Sequence, residues 1–357
     1  MPATPGAGGS APVETDVVVI GGGPVGLFQA FQLGLLEMSA RIVDALPHPG
    51  GQCIELYPDK PIYDIPGVPV CTGRELVDRL QQQLRPFGTP MHLGREVAEI
   101  GPAGDGRFHL ATGDGTRFLA RAIVIAAGAG AFQPRRLKID GLEALPASQV
   151  AYHVADPAVF AGRRLVVVGG GGSALDQALA FAEAGPHAAA RVTLVHRRDV
   201  FQAPPERVER MRACVAAGTM DLVVGQVTGF SAPGGMLKSL EITRTDGSVH
   251  PLAADALLVF FGLSPKLGPV AEWGLAMERK QLVVDPSDFG TGVPGIFAVG
   301  DINTYPGKKK LLVSGFHECA LAAFGAARHL QGREPLLQYT TTSSRLHALL
   351  GVGGTPR

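Results

Sequence analysis

The chain has 357 residues, of which 46% are hydrophobic and 18% charged, with 32 basic and 32 acidic side chains and a formal net charge of zero. This length accommodates two or three domains with filled cores, and the composition excludes disorder as the overall state. A net charge of zero gives no global reason to expect nucleic acid or an anionic membrane as a partner, so electrostatic recognition has to be local.

The termini and the cysteines indicate the cellular setting. Residues 1–13 contain no Lys or Arg and no apolar signal-peptide core, so we expect a flexible tail. No apolar run reaches the length of a membrane span. The four cysteines are dispersed and none forms a CxxC pair, which favours the reducing cytoplasm over a disulfide scaffold. They are Cys53, Cys71, Cys214 and Cys319.

The first predicted unit is a βαβ start. A glycine-rich turn, residues 21–26 (GGGPVG), follows the apolar run 17–20, and a helix over 27–38 and a strand over 40–43 lead to Asp44. The glycines allow a tight turn, close approach to a pyrophosphate and helix-on-strand contact, at Gly21, Gly23 and Gly26 respectively. The pattern predicts the ADP half of FAD or NAD, with Asp44 on the ribose. The alternative for Asp44 is an ordinary acid at the surface end of a strand.

Elements of less specific character follow. The stretch 47–69 is rich in turn residues and is predicted to lack regular structure, and a loop of that length is typical of a functional segment. A helix is predicted over 74–87. A β-rich section then ends in the apolar strand 122–128.

A second nucleotide unit begins near residue 165. The strand 165–168 precedes a turn at 169–174 (GGGGSA), a helix is predicted over 173–184, and the strand 191–195 ends in His196-Arg197-Arg198 instead of an acid. Cations at that position suit a 2′-phosphate, which predicts NADP(H). A solvated charge run is the alternative. Phe201 could lie against an adenine or fill core.

The remainder of the chain repeats the plan and then departs from it. A helix over 205–217 and a β-rich tail over 221–249 lead to the strand 256–261. A later strand, 295–301, ends in another Gly-Asp and precedes a helix over 315–330. Since this Gly-Asp belongs to neither nucleotide start, we expect the chain to have returned to its first domain.

Taken together, these segments resemble the thioredoxin-reductase-like ferredoxin (or flavodoxin) NADP⁺ reductases, from Asp16 to about Val352. The resemblance implies an α/β fold with two Rossmann-like, three-layer ββα domains, the NADPH domain (131–263) being inserted into a discontinuous FAD domain (14–130 and 264–357). The segments that carry the resemblance are the two glycine turns, Asp44, GGQ (50–52), ELYP (55–58), IYDIPG (62–67), HRRD (196–199) and GDI (300–302).

The resemblance also implies roles for individual residues. Tyr57 would stack on the flavin, Val97 would meet adenine through its backbone, and Asp301 would bind toward the ribityl chain. The residues expected around FAD are Gly21, Gly23, Val25, Gly26, Asp44, Gln52, Tyr57, Val97, Phe132, Asp301 and a hydroxyl of Thr342 or Ser343. Those expected around NADPH are Gly169, Gly171, Ser173, Ala174, His196, Arg197 and Arg198. The alternatives are a wedged loop aromatic for Tyr57 and a plain C-terminal strand for 340–343.

The implied reaction is hydride transfer between NADPH and FAD, followed by single-electron exchange with a ferredoxin or flavodoxin. No acid-base residue is nominated as catalytic, and His153 and His317 are expected to be structural. The stretch 152–156 has no thiols where thioredoxin reductases carry CxxC, so no internal disulfide can accept the electrons. Gly172 replaces the usual Asp of the second turn. Alternatives are an NADPH oxidase or quinone reductase, and a non-enzymatic NADP sensor.

Two short basic runs, 308–310 and 135–136, are candidate docking surfaces for an acidic electron carrier, or plain solvated charges. The resemblance further implies a homodimer, with domain rotation about hinges near 128–134 and 262–265.

Overall fold

A computed structural model describes residues 11–154, 156–183 and 185–352, except for the side chains of 131–133 and 263–265. The chain forms two compact units: unit 1 extends to Phe132 and resumes at Pro265, and unit 2 is Gln133–Ser264. The sequence predicts the two crossings after residues 130 and 263, two residues and one residue earlier than these bounds.

The strands are β1 Val13–Ile20, β2 Ala40–Val43, β3 Pro61–Ile62, β4 Cys71–Thr72, β5 Met91–His92, β6 Val97–Pro102, β7 Phe108–Thr112, β8 Arg117–Ile125, β9 Ala131–Pro134, β10 Val150–Ala151, β11 Arg164–Val168, β12 Arg191–His196, β13 Asp221–Val224, β14 Gln226–Ser231, β15 Ser239–Thr243, β16 Val249–Ala253, β17 Ala256–Val259, β18 Leu263–Lys266, β19 Met277–Glu278, β20 Gln281–Val283, β21 Ile296–Ala298 and β22 Asn303–Thr304. The helices are α1 Pro24–Leu35, α2 Gly51–Glu55, α3 Gly73–Leu84, α4 Gly172–Ala182, α5 Pro205–Ala216, α6 Leu312–Gln331 and α7 Ser344–Leu349. None of the helices in the described residues is both long enough and apolar enough to cross a bilayer.

Unit 1 is built on a mixed sheet in the order β5-β2-β1-β8-β7-β6. Strands β5, β2, β1 and β8 are parallel, whereas β7 and β6 are antiparallel. Two strands pair with the same edge of β8: its first half pairs with β7, and residues 123–125 pair in parallel with β21. The late segment of the chain therefore returns to the first sheet, as the expected fold requires.

The helices of unit 1 begin where local chemistry favours it. Pro24 occupies the first turn of α1, where its missing N–H costs nothing. Thr72 caps α3: its hydroxyl accepts from the Glu75 amide at 3.2 Å, and the Glu75 carboxylate accepts from the Thr72 amide at 2.8 Å. Helix α1 places its N-terminus directly after the end of β1.

The stretch 47–69 contains regular structure that the sequence prediction missed. The five-residue helix α2 begins after Gly50, whose φ of 112° is available only to glycine without strain, and β3 pairs with β4. One helical turn and a two-residue strand are too short to produce a hydrophobic period.

Unit 2 has a five-stranded parallel sheet in the order β10-β17-β11-β12-β13 and an antiparallel sheet, β14-β15-β16. Successive side chains of β11 point to opposite faces. Leu165 and Val167 join the core that includes α4, whereas Val166 and Val168 join the core that includes β14 and β15. Burial on both faces explains the continuous apolar run that the sequence shows here.

Candidate functional site

The glycine turn of unit 1 is pressed against the end of β8. Gly21 has φ of 110°, and a Cβ there would lie 2.4 Å from the carbonyl oxygen of Ala126. A Cβ at Gly26 would lie 1.9 Å from the carbonyl oxygen of Gly21. Neither position can hold a side chain without moving backbone, so the close packing of β1, α1 and β8 requires these glycines.

Asp44, at the end of β2, bonds back to the same turn. Its Oδ1 accepts from the Leu46 amide at 2.7 Å, and its Oδ2 accepts from the Gly22 amide. The residue is only 9% exposed, and burial raises the pKa of its carboxyl group in spite of these bonds. The alternative of an ordinary surface acid is therefore wrong.

A cavity of about 250 Å³ opens in front of this turn, lined entirely by residues of unit 1. It brings together positions from the first glycine turn, from β2, from α2 and from the late Gly-Asp. The predicted residues that line it are Gly21, Gly23, Val25, Asp44, Gln52, Tyr57, Val97 and Asp301. Gly26 lies beneath the turn, against Gly21.

Gln52 and Tyr57 reach the cavity from α2 and the turn after it. The Gln52 Nε2 lies 3.1 Å from the position that a Cβ of Gly128 would take, so the side chain crosses toward the end of β8. Burial raises the pKa of Tyr57, and the neighbouring Cys53 and Asp301 add to the shift. Tyr57 is thus a neutral, half-buried ring in the cavity wall at neutral pH.

The cavity wall also contains residues that the sequence reasoning did not assign to FAD, among them Trp273, Arg95 and Lys310. Trp273, the single tryptophan, donates from Nε1 to the Ala98 carbonyl at 3.3 Å. Arg95 donates from Nη1 to the Thr116 hydroxyl at 2.6 Å, and Lys310 also lines the cavity. Arg95 lies two positions before Val97, which was the one available signal. Nothing local marks Trp273.

Two predicted FAD residues do not lie at the cavity of their own chain. Ser343 is the N-cap of α7, where its hydroxyl accepts from the Leu346 amide at 3.3 Å, and Thr342 is exposed. Arg345 pairs with Glu37 through an Nε–Oε1 contact of 2.6 Å, beyond the C-terminal end of α1. Since α1 has 12 residues, that end lies about 18 Å from the glycine turn. The alternative reading of 340–343 as a plain C-terminal strand is wrong, since residues 340–342 form a turn.

Phe132, predicted to line the flavin site, belongs to β9, but its side chain lies outside what the structure describes.

The cysteine thiols of unit 1 are protonated and enclosed. Burial raises the pKa of Cys53 to about 11, with Cys71 as a further cause, and raises the pKa of Cys319 well above its usual range. The Cys319 thiol donates to the Val25 carbonyl at 3.2 Å. Because the thiolate is the nucleophile, these groups are unreactive at neutral pH.

The glycine turn of unit 2 has the same close packing. A Cβ at Gly169 would lie 2.5 Å from the Phe260 carbonyl oxygen and 2.8 Å from the Cβ of Ala174, which is fully buried. Gly171 is the N-cap of α4, and Ser173 lies in its first turn. The N-terminus of α4 therefore presents its free amides at the end of β11.

The cationic end of β12 carries two unpaired guanidinium groups. Arg197 and Arg198 are exposed, and no hydrogen bond or ion pair joins either of them to another described residue. Asp199, the nearest acid in sequence, is instead paired with Arg212. Burial lowers the pKa of His196, and Arg197 and Arg198 lower it further, so the imidazole is neutral at neutral pH. The positive charge here comes from the two arginines.

Phe201 packs against the helix-side core of unit 2, with the His196 ring 5.5 Å away and the Arg212 guanidinium 5.6 Å above it. Gly172, the first residue of α4, lies beside Arg207: a Cβ at Gly172 would be 3.1 Å from Arg207 Nη1, and Arg207 pairs with Asp176 at 2.9 Å.

The basic run 308–310 is only partly a surface feature. The side chain of Lys308 is 6% exposed and forms an ion pair with Glu318, whereas Lys309 and Lys310 are exposed. The prediction that Lys308 belongs to a docking surface is therefore wrong. Arg136, in the other candidate run, lies 5.6 Å from the Tyr152 ring.

Two units that each present a glycine turn between a parallel strand and a helix define a protein with two dinucleotide-binding units. The family model for pyridine nucleotide-disulphide oxidoreductases matches residues 15–322, and the chain belongs to that family.

Comparisons with individual proteins agree with this assignment. The chain is 60% identical over 342 residues to a ferredoxin–NADP reductase of Methylibium petroleiphilum, covering 96% of this chain and 93% of the relative. It is also 60% identical to a ferredoxin–NADP reductase of Albidiferax ferrireducens, covering 96% and 97%. Among solved structures, thioredoxin reductase of Lactococcus lactis superposes with a TM-score of 0.59 at 27% identity, covering 89% of this chain and 99% of that one.

Proposed function

We propose that this chain is an FAD-dependent ferredoxin–NADP⁺ reductase that exchanges a hydride between NADPH and FAD and single electrons with a ferredoxin or flavodoxin. The likeness to proteins of that name extends over nearly the full length of both chains. When bound, FAD supplies the chemistry that couples two-electron to one-electron transfer, and the protein supplies binding and orientation.

The unit 1 cavity fits the adenosine end of FAD. The amides at the start of α1 are available for a pyrophosphate, because a side chain at Gly21 or Gly26 is excluded. Each oxygen of Asp44 accepts one backbone N–H and a carboxylate oxygen has two lone pairs, so both can also accept a ribose hydroxyl. Gln52, Tyr57 and Asp301 line the same cavity and are the residues we assign to the flavin end.

The end of β12 in unit 2 fits the 2′-phosphate of NADPH. Arg197 and Arg198 have their guanidinium donors free, and two such groups can bind one phosphate through charge-assisted hydrogen bonds. The turn at Gly169 and Gly171 places the N-terminus of α4 for the pyrophosphate. NADPH rather than NADH is the expected donor, because no acid stands where a ribose 2′-hydroxyl would be read.

The observation that supports an external acceptor is the lack of a reactive thiol among the described residues of the cavity. Cys53 is the one cysteine among the residues that line the cavity, and burial, with its neighbour Cys71 as a further cause, raises its pKa to about 11. Burial raises the pKa of the Cys71 thiol as well, so both thiols stay protonated at neutral pH. Cys214 is the one cysteine between residues 133 and 264. Thiol–disulfide exchange needs a thiolate, which neither Cys53 nor Cys71 supplies at neutral pH, so we assign the electrons to an external acceptor.

The test is a comparison of acceptors with one preparation of the purified protein. We expect a yellow protein whose colour is bleached by NADPH, and reoxidation that is at least about tenfold faster by ferredoxin or flavodoxin than by a quinone or oxygen in stopped-flow absorbance. Fastest reoxidation by quinone or oxygen would overturn the assignment in favour of a small-molecule reductase or an oxidase. A colourless protein that binds NADPH would instead support the alternative of a non-enzymatic NADP sensor.

The docking surface for the carrier includes Lys309, which is exposed and belongs to the run that also contains the cavity residue Lys310. Lys309→Glu is expected to slow the reduction of ferredoxin and to leave the rates of the other steps unchanged, because charges at the rim of an interface act mainly on the association rate. NADPH-dependent dye reduction is the control reaction. If the variant and the unaltered protein reduce ferredoxin at equal rates at low salt, Lys309 is not part of the docking surface.

The proposal extends to a homodimer in the cytoplasm. The dimer follows from the resemblance to the reductase family, and analytical ultracentrifugation of the purified protein tests it: a single species at the monomer mass would refute it. Among the described residues all four cysteines are free, which suits a reducing compartment.

A further inference from the structure

A buried ion pair lies behind the Gly-Asp turn that reaches the cavity. Glu318, on α6, is fully buried. Its Oε2 accepts from the Gly300 amide at 2.7 Å and from Asn303 Nδ2 at 2.9 Å. Its Oε1 accepts from the Tyr305 hydroxyl at 3.0 Å and from Lys308 Nζ. Four donors therefore converge on one carboxylate.

We infer that Glu318 and Lys308 are positioning residues that hold the turn at Gly300 and Asp301 so that the Asp301 carboxylate faces FAD. The inference rests on the proposed function, since it concerns the same FAD site. Neither residue lines the cavity itself.

The contacts bind the segment 300–308 at both ends. Its first amide, on Gly300, donates to Glu318, and its last side chain, Lys308, donates both to Glu318 and to the Gly300 carbonyl at 2.9 Å. From the other side, Gln281 Nε2 donates to the carbonyl of Asp301 at 3.2 Å and to that of Asn303 at 2.6 Å. The backbone that carries Asp301 is thus held from two directions.

The same turn is packed against the first glycine turn. A Cβ at Gly300 would lie 3.2 Å from Val25 Cγ1, and one at Gly315 would lie 2.6 Å from Val25 Cγ2. Val25 belongs to the first turn of α1. Displacement of the Gly300 segment would therefore also disturb the N-terminus of α1, where the pyrophosphate is expected.

The Asp301 carboxylate has no hydrogen-bond or ion-pair partner among the described residues, although it lines the cavity. The backbone of Asp301 is therefore held in place, while its carboxylate is available to bind a ligand. Stability alone does not explain the arrangement, because a buried ion pair contributes no more than a well-packed apolar pair of the same volume. Tyr305, whose pKa burial and Glu318 raise to about 12, completes a polar cluster that fixes geometry.

The experiment compares neighbouring lysines. Lys308→Met removes the buried cation, and Lys309→Met removes an exposed one from the adjacent position. Each protein is stripped of flavin, the melting temperature of the apoprotein is recorded, and the dissociation constant for FAD is measured by flavin fluorescence well below that temperature. We expect Lys308→Met to raise the FAD dissociation constant at least about tenfold and Lys309→Met to change it less than about twofold. Lys308→Arg, which keeps the charge, is expected to recover most of the loss.

A double-mutant cycle with Asp301→Ala separates positioning from general destabilisation. If Lys308 acts through Asp301, Lys308→Met costs little FAD affinity once the Asp301 carboxylate is gone. Additive losses, or a lower melting temperature with unchanged FAD affinity, would overturn the inference. If Lys308→Met does not fold, the pair Lys308→Met with Glu318→Gln leaves no buried net charge and is tested in the same way. Failure of the unaltered protein to bind FAD would instead refute the proposed function.

Discussion

Replacement of Arg197 and Arg198 by glutamine tests which nucleotide unit 2 reads. Both guanidinium groups are exposed and unpaired among the described residues, so their removal leaves no buried carboxylate behind and the fold should be unaffected. NADPH differs from NADH by the 2′-phosphate alone, and only the phosphate would be bound by these groups.

The magnitude follows from the strength of a charge-assisted hydrogen bond, about 1.5–3 kcal/mol. Because both arginines are exposed, the low end applies, about 1.5 kcal/mol each, which is a factor of about ten per arginine. We therefore expect the KM for NADPH to rise about tenfold for Arg197→Gln or Arg198→Gln and about 50- to 100-fold for the double variant, whereas the KM for NADH stays within about twofold.

The assay is steady-state dye reduction with NADPH and with NADH at fixed ionic strength, since these electrostatic contacts are screened by salt. Arg210→Gln is the matched control, because Arg210 is an arginine of unit 2 that already pairs with Glu183 on the surface. Equal changes with NADPH and NADH, or the same change in Arg210→Gln, would refute the assignment of the 2′-phosphate to the end of β12.

Three further outcomes follow from the structure. Gly26→Ala places a Cβ 1.9 Å from the Gly21 carbonyl and should weaken FAD binding at least about tenfold, whereas Gly113→Ala, with open space around it, should bind FAD normally; flavin content after purification distinguishes the two. With its pKa of about 11, Cys53 is about one thousandth thiolate at pH 8, so mass spectrometry should find the half-buried Cys214 alkylated by iodoacetamide well before Cys53; early labelling of Cys53 would contradict the burial. Asp255, bound by Arg164 through contacts of 2.6 and 3.0 Å, has a pKa lowered to about 2, so its stabilisation is present above its ordinary pKa and is lost as the pH falls through the folded value. Asp255→Asn should cost about 1 kcal/mol in urea unfolding at pH 7, discounted for an exposed pair, and the difference should shrink as the pH falls toward 3; a constant difference would exclude the ion pair as its cause.

The parts of the site that the sequence predicted are those with local causes. A glycine turn between an apolar strand and a helix depends on backbone conformation over a few residues, and an acid or a pair of arginines at a strand end is placed by the strand itself. Asp44, Gln52, Tyr57 and Asp301, which the motifs singled out, line one cavity, and their contact with FAD stays a prediction. The errors concern residues whose environment is made by distant segments.

Lys308 shows the difference most clearly. In the sequence it is the first of three consecutive lysines and indicates a basic surface, yet in the structure it is buried against Glu318. Thr342 and Ser343 were expected at FAD by resemblance; in this chain neither lines the cavity, and Arg345 of α7 pairs with Glu37 beyond the far end of α1. Trp273 reaches the cavity without any local motif, because the return of the chain to unit 1 brings it there.

The amino-acid sequence by itself determined the two βαβ starts, the return of the chain near Gly300 and the lack of a CxxC pair, and it predicted a nucleotide for each unit, because each of these depends on backbone preference or residue type within a short segment. The tertiary structure alone decided which polar groups are left free for ligands and which are used up by the fold. Burial, hydrogen-bond partners and pKa shifts arise from segments distant in sequence that meet only in the folded chain, as β21 meets β8. For that reason the Asp301 carboxylate is available to a ligand, whereas the Lys308 ammonium is already paired with Glu318.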